Sequence, residues 1–281
     1  MTEIWEGCIR EYMHEHLEVL QDSDSALDAA IRMRDRRVGS VFVETLDRRR
    51  QDCRLAGIVT ETDLVTRVLA QGRDPGKTSV GQIMSSPLVT IGPDRPMIDA
   101  SHLMDAHHIR HLGVSDGPDV IGIISMRDLA KHFTDATSGA AQDLNDVHSP
   151  LTVLMRRPIE TLETRDTVTA AARWMTQKQI GSAFIVEADE IVGIVTESDI
   201  IRKALAGGKD PGLLALGELL TFPLISIEQN RSIQEVCQVM ASHHVRHLAI
   251  TDRQKVVGVV SIRDIVKLVA ARDRPAYLRR T

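Results

Sequence analysis

At 281 residues the chain is long enough for one large domain or two ordinary ones, and 43% apolar with 26% charged residues is an ordinary composition for a soluble globular protein. A formal charge of −5 at pH 7 and 3% aromatic residues argue against a general nucleic-acid binder, which needs basic surface and rings for stacking. No apolar run is long enough to span a membrane, the start lacks a signal-peptide pattern, and Cys8, Cys53 and Cys237 are scattered without metal-ligand spacing, so a cytoplasmic protein is expected.

In chain order, Ile9 to Met13 is expected to tie down the N-terminus, and Leu17 to Leu20 to form a brief strand. Asp22-Ser-Asp-Ser25 supplies N-cap side chains for a helix with Leu27, Ala30, Ile31 and Met33 on its apolar side. Val41 to Val43 reads as a strand, Leu46 to Arg54 as a charged hairpin loop, and Leu55 to Thr60 as the next strand. Asp63 then starts a helix through Leu64, Val65, Val68 and Leu69, which Gly72 and Pro75 stop. This order of strand, helix, strand, strand, helix recurs. A second repeat restarts at Ile83-Met84, with strand Leu88 to Ile91, helix Met97 to Ala106, strands Leu112 to Val114 and Val120 to Ser125, and helix Asp128 to Phe133. Residues 136–149 form the expected linker. The third repeat runs from Leu154 through strand Ile159 to Leu162, helix Val168 to Gln177, strands Ala183 to Val186 and Ile191 to Thr196, and helix Ile200 to Ala206. The fourth runs from Leu219 to a last helix, Ile265 to Ala271, beyond which Arg272 to Thr281 is expected to fray.

One pattern organises these elements. Gly57-Ile-Val-Thr-Glu-Thr-Asp63 returns as Gly122-Ile-Ile-Ser-Met-Arg-Asp128, Gly193-Ile-Val-Thr-Glu-Ser-Asp199 and Gly258-Val-Val-Ser-Ile-Arg-Asp264. First and third copies are 136 residues apart, as are second and fourth, so a two-repeat unit is duplicated in tandem. His107-His-Ile-Arg-His-Leu112 and Gly72-Arg-Asp-Pro-Gly76 return at the same offset, as His243-His-Val-Arg-His-Leu248 and Gly208-Lys-Asp-Pro-Gly212.

The hydroxyl and acid of the motif suit a helix cap, with the carboxylate near the positive end of the helix dipole. The same pair suits a nucleoside: a carboxylate accepts from both ribose hydroxyls, and a Ser or Thr at a helix start donates to phosphate beside free N–H groups. Both readings can hold in one structure. The histidines have an i, i+4 spacing that a metal can use on a helix, but the helical pattern ends before Leu112, so no metal site is expected. Gly72 to Thr78 has three residues between its glycines, where a phosphate-binding P-loop has four, and it follows a helix. No nucleophile–base pair stands out, and an enzyme is not expected.

Four βαββα units carrying Gly-h-h-[Ser/Thr]-x-x-Asp, with Ile109-Arg-His-Leu-Gly-Val-Ser-Asp116 before the hairpin, resemble the cystathionine-β-synthase-type (CBS) domain. The resemblance covers nearly the whole chain. It implies an α/β fold of four repeats packed as two pseudo-symmetric modules, residues 9–135 and 150–272, with ligand clefts between paired repeats. It also implies ribose contacts for Asp63, Asp128, Asp199 and Asp264, and phosphate contacts for Thr60, Ser125, Thr196 and Ser261. Basic residues before the third element reach phosphates in this family, which points to Arg110, His111, Arg246 and His247, with Arg127 and Arg263 as weaker candidates. The odd repeats have Gly39-Ser40 and Gly181-Ser182 in place of the Arg-His pairs, and Glu61 and Glu197 beside the acid would repel a phosphate that they faced. The even repeats are therefore expected to bind tighter. The implied ligand is an adenine nucleotide (AMP, ADP or ATP, with or without Mg), and the implied role is regulation of a partner or of a homo-oligomer, such as a dimer. S-adenosylmethionine or another adenosyl compound, and a ligand-free scaffold, are the alternatives.

Overall fold

The computed structural model describes residues 7–47, 52–138, 151–220, 224–243 and 245–272. The chain opens with a single turn, α1 (Ile9–Tyr12), followed by β1 (Val19–Gln21), α2 (Ala26–Arg36), β2 (Ser40–Asp47) and β3 (Asp52–Thr60). The first repeat ends in α3 (Glu61–Leu64), which continues as a wide turn over Val65–Leu69. After α4 (Val80–Ile83) come β4 (Thr90–Ile91), α5 (Met97–Ala106), β5 (His111–Asp116), β6 (Asp119–Ser125) and α6 (Met126–Ser138). A short turn at Leu151–Val153 leads to β7 (Thr161–Glu163), α7 (Val168–Lys178), β8 (Ser182–Glu187), β9 (Glu190–Thr196) and α8 (Glu197–Asp199), again extended by a wide turn, Ile200–Leu205. The last repeat follows the turn Leu216–Leu219, with β10 (Ser226–Glu228), α9 (Ile233–Ser242), β11 (His247–Asp252), β12 (Lys255–Ser261) and α10 (Ile262–Arg272).

The fold is mixed α/β, with four separate three-stranded sheets. In each, the first two strands are parallel, which requires the intervening helix as a crossover, and the last two form an antiparallel hairpin. Every hairpin shifts register one residue beyond the pair made by the motif glycine, as between Val43 and Glu44 opposite Gly57. Such bulges add twist and re-aim the side chains that follow.

Two compact units emerge, each drawing one repeat from either half of the duplication. The odd unit holds residues 17–88 and 160–224, and its core joins Met33, Val41, Leu64 and Val65 to Val168, Met175, Ile185 and Ile200. The even unit holds the chain up to residue 16, residues 89–159 and the chain from 225 onward. Its core joins Ile9, Met97, Leu112 and Leu129 to Ile233, Met240, Leu248 and Ile265.

The segment that leads into each repeat packs on a different repeat. Ser85 exchanges both backbone hydrogen bonds with Ile58 of β3, at 2.8 and 3.1 Å. His14 does the same with Ile123 of β6, at 2.9 and 3.0 Å, and the Arg156 N–H donates to the Val259 carbonyl of β12 at 3.0 Å. This crossing explains the motif glycine. A Cβ on Gly57 would lie 2.7 Å from the Ser85 carbonyl oxygen, and one on Gly258 would lie 2.1 Å from Met155 Cγ. The glycine is there for a neighbouring chain segment: Ile83-Met84, where the second repeat restarts in sequence, packs on the first repeat's core.

Several other boundaries differ from expectation. Leu46 and Asp52 to Arg54 lie in β2 and β3, so most of the expected hairpin loop is strand, and residues 48–51 lie outside the described residues. Helices start before the motif acid, because the hydroxyl is the N-cap: α3 begins at Glu61, not Asp63. α6 runs on through Ser138 into the expected linker, whose residues 139–149 lie outside the described residues, as does the tail from 273. No helix among the described residues is long and apolar enough to cross a membrane.

Candidate ligand-binding site

Each motif acid is first a cap. Thr60 Oγ1 accepts from the Asp63 N–H at 3.3 Å, and Asp63 Oδ2 accepts from the Thr60 N–H at 2.9 Å and from the Thr60 hydroxyl at 2.6 Å. Thr196 and Asp199 repeat this arrangement, in the same order, at 3.3, 3.1 and 2.7 Å. Asp128 Oδ2 accepts from the Ser125 N–H at 2.8 Å and its hydroxyl at 2.7 Å, and Asp264 Oδ2 accepts from the Ser261 N–H at 3.1 Å and from its hydroxyl. The reciprocal bonds satisfy N–H groups that a helix start leaves open.

The second oxygen of each acid meets a basic side chain. Asp63 Oδ1 lies 3.3 Å from Arg67 and accepts from the Ser85 hydroxyl at 3.3 Å. Asp199 Oδ1 lies 2.8 Å from Lys203 Nζ. In the even unit Asp128 Oδ1 is 3.0 Å from His14 Nε2, and Asp264 Oδ1 accepts from Arg156 Nε and Nη2 at 3.0 and 2.6 Å. Burial would raise the Asp128 carboxyl, but hydrogen bonds from His14 and Ser125 and the His14 charge outweigh it and hold the group below the usual carboxylate range. The bond to Asp128 in turn raises the His14 pKa above 6.5, against desolvation and the charges of Lys131 and Arg127.

The Arg-His pairs sit directly across the hairpin from the motif. His111 pairs with Ser125, and His247 with Ser261. The Arg110 and Arg246 carbonyls accept from the first N–H of α6 and α10, both at 3.0 Å. These bonds fix each Arg beside a helix start. His247 is only partly exposed, and burial, with the charges of Arg246, Arg110 and Arg156, pushes its pKa down to about 3. Three arginines from separate stretches of chain thus act on one imidazole of the even unit. Arg263, the weaker candidate, donates from Nη2 to the His108 carbonyl at 3.0 Å and ties α10 to the end of α5. Arg127 is exposed on α6, near enough to His14 to depress its pKa.

The odd unit has nothing similar at the matching positions. The Gly39 and Gly181 carbonyls take the same backbone bonds, at 3.1 Å, but carry no cation. Glu61 and Glu197 are buried against the partner repeat. Counted along the motif they stand at the places of Met126 and Ile262, and they are 1% and 5% exposed. Glu61 Oε1 accepts from the Ser198 hydroxyl at 2.9 Å, Glu197 Oε2 accepts from the Thr62 hydroxyl at 3.0 Å, and Arg202 approaches Glu61 at 3.6 Å. The acids hold the first and third repeats together.

The histidines part company. α5 ends at Ala106, His108 has a left-handed backbone (φ 55°), and His111 opens β5, so His107 and His111 share no helix face. His244 lies outside the described residues. Among the described residues no group of three or more His, Cys, Asp or Glu is placed to hold a metal ion.

A family model of the CBS domain matches residues 9–70, 80–135, 151–206 and 216–271. The chain belongs to the CBS-domain family. Hypoxic response protein 1 of Mycobacterium tuberculosis is 34% identical over 115 residues, covering 41% of this chain and 80% of that protein. CBS domain-containing protein YhcV of Bacillus subtilis is 32% identical over 134 residues, covering 47% of this chain and 91% of its own length. The crystal structure of protein MJ1225 from Methanocaldococcus jannaschii superposes with a TM-score of 0.75 at 13% identity, covering 94% of this chain and all of the other, a likeness of fold alone.

Five residues on the second carboxylate oxygen escaped sequence reasoning: His14, Arg67, Ser85, Arg156 and Lys203. A signal for three of them exists. Met13-His14, Met84-Ser85 and Met155-Arg156 recur ahead of successive repeats, and the residue after Met is the one that reaches the acid.

Proposed function

We propose that this chain is a non-catalytic regulatory sensor that binds an adenine nucleotide through its even repeats and passes occupancy to a partner protein or a second copy of itself. One observation carries this reading: Arg110 and Arg246 are held at the starts of α6 and α10, next to the His111 and His247 that pair with the motif serines, whereas the odd repeats have glycines there. Arg110 and Arg246 would bind phosphate as charge-assisted donors, with Ser125 and Ser261 adding hydroxyls at the helix starts. His247, with a pKa near 3, is neutral at pH 7 and would contribute a hydrogen bond, and His111 holds the matching place in the second repeat. Asp128 and Asp264 would take the ribose diol, with Arg127 and Arg263 at the margin. Thr60, Asp63, Thr196 and Asp199 would serve weaker odd-repeat sites without a local cation at Ser40 or Ser182. A cluster of arginines disfavours a sulfonium ligand such as S-adenosylmethionine on charge grounds.

Calorimetric titration tests the reading. Arg110→Ala with Arg246→Ala should weaken AMP by about tenfold to a hundredfold, the value of a charge-assisted bond, and leave adenosine nearly unchanged. Asp128→Ala and Asp264→Ala should weaken both. Equal AMP affinity in the double Arg variant removes the phosphate assignment.

A further inference from the structure

His14, Ser85 and Arg156 occupy one structural position three times. Each makes an isolated antiparallel bridge to the strand that ends in the motif, at Ile123, Ile58 and Val259. Each also reaches the Oδ1 of the motif acid, on Asp128, Asp63 and Asp264 at 3.0, 3.3 and 2.6 Å. Their chemistry differs. Ser85 brings a neutral hydroxyl, and the charge beside Asp63 comes from Arg67, four residues further along the chain from that acid. In the even unit the charge rides on the incoming segment itself.

We propose that His14 and Arg156 are latches that a ligand's diol must displace from Asp128 and Asp264, so that even-repeat occupancy is read out as opening of the backbone bridges that His14 and Arg156 make to Ile123 and Val259, while Ile9 and Leu151 stay in the core. The proposal rests on the nucleotide reading above. A carboxylate oxygen engaged by a cation at hydrogen-bond distance is not open to a ribose hydroxyl from the same direction.

The two latches respond differently to pH. Arg156 stays charged throughout the working range. His14 is charged only below its pKa, which the Asp128 bond raises above 6.5. The charged groups that shift it belong to α6: ionised Asp128 favours the protonated imidazole, while Lys131 and Arg127 oppose it. β6 meets it through the Ile123 backbone. The second repeat's latch therefore loosens as pH rises, and the fourth's does not.

Amide hydrogen exchange on the whole chain without nucleotide tests the latch alone. After correction for intrinsic exchange, protection at His14 and Ile123 should fall as pH rises through the His14 pKa. It should be low at every pH in His14→Gln and high at every pH in His14→Arg, with no step at Arg156. Protection at His14 that ignores both pH and substitution overturns the latch. Calorimetry with adenosine, which has no phosphate, tests the coupling. Below the His14 pKa, adenosine should bind His14→Gln about tenfold more tightly than wild type, and the difference should vanish above it. AMP should speed exchange at His14, Ile123 and Arg156, the amides of the two bridges. Equal adenosine affinity at all pH overturns the coupling and leaves the nucleotide reading intact. If neither adenosine nor AMP binds either protein, the nucleotide reading and the readout both fail, while the exchange data still decide whether the latch exists.

Discussion

The two oxygens of each motif aspartate have separate partners, and this division sets what a sequence can reveal. Oδ2 bonds to residues three positions away, so the cap at Thr60–Asp63 is legible in the motif itself. Oδ1 of Asp128 and Asp264 bonds to residues 114 and 108 positions away, a distance at which local pattern carries no information. The histidines make opposite contributions to stability. His247, with a folded pKa near 3 against an ordinary 6.5, contributes stability that is present above 6.5 and lost as pH falls toward 3. The His14 contribution is full below 6.5 and is lost as pH rises through its raised pKa. Denaturation across pH should therefore show a shallower acid limb in His247→Gln and a flatter alkaline limb in His14→Gln. An unchanged acid limb in the first variant would contradict the His247 environment. The motif glycine gives a second test. Gly258→Ala places a Cβ 2.1 Å from Met155 and should cost about 1–3 kcal/mol, as overpacking does. Gly92→Ala, whose Cβ would meet its nearest atom at 3.6 Å, should change the melting midpoint little.

Among the elements, the short ones do more than their length suggests. α1 is one turn near the chain start, yet Ile9 is fully buried in the even core. Ile9→Ala should destabilise the even unit by about 2–5 kcal/mol in chemical denaturation, whereas a merely tethered terminus would give almost nothing. The odd unit is tied by reciprocal contacts. Arg34 donates to the Ala206 carbonyl, Arg173 Nε donates to the Ala70 carbonyl at 3.2 Å, and Glu61–Ser198 mirrors Glu197–Thr62. A double-mutant cycle of Glu61→Gln with Ser198→Ala should give a coupling of about 0.5–3 kcal/mol, and additivity would show the bond to be incidental. Regular helices were readable: apolar spacing placed α5 at Met97 to Ala106, where it lies. The wide turns after α3 and α8 were not, because an N–H that reaches back five residues, as Ala70 does to Val65, leaves the apolar spacing of the sequence unchanged.

At the scale of the molecule, the tandem duplication was plain in the sequence, but which repeats share a core was not. Equivalent repeats join, first with third and second with fourth, so each half of the chain carries half of two cores. Residues 7–138 and 151–272, produced separately, should each expose the apolar helix faces buried here, including Ala26, Ala29 and Met33 of α2 in the first half. Each half should self-associate in light scattering, and mixing should restore one-to-one pairs. A folded, monomeric half would show that the shared cores are dispensable. The crossing segments also impose an order on biosynthesis. His14 leaves the ribosome before strand β6, to which it is bridged, so it must wait until Ile123 has emerged. The first repeat waits longer still, since its core is completed only by residues 160–224. The nascent chain must carry uncovered apolar surface from the first repeat until residues 160–224 emerge, and demand for chaperones should peak before the third repeat is complete.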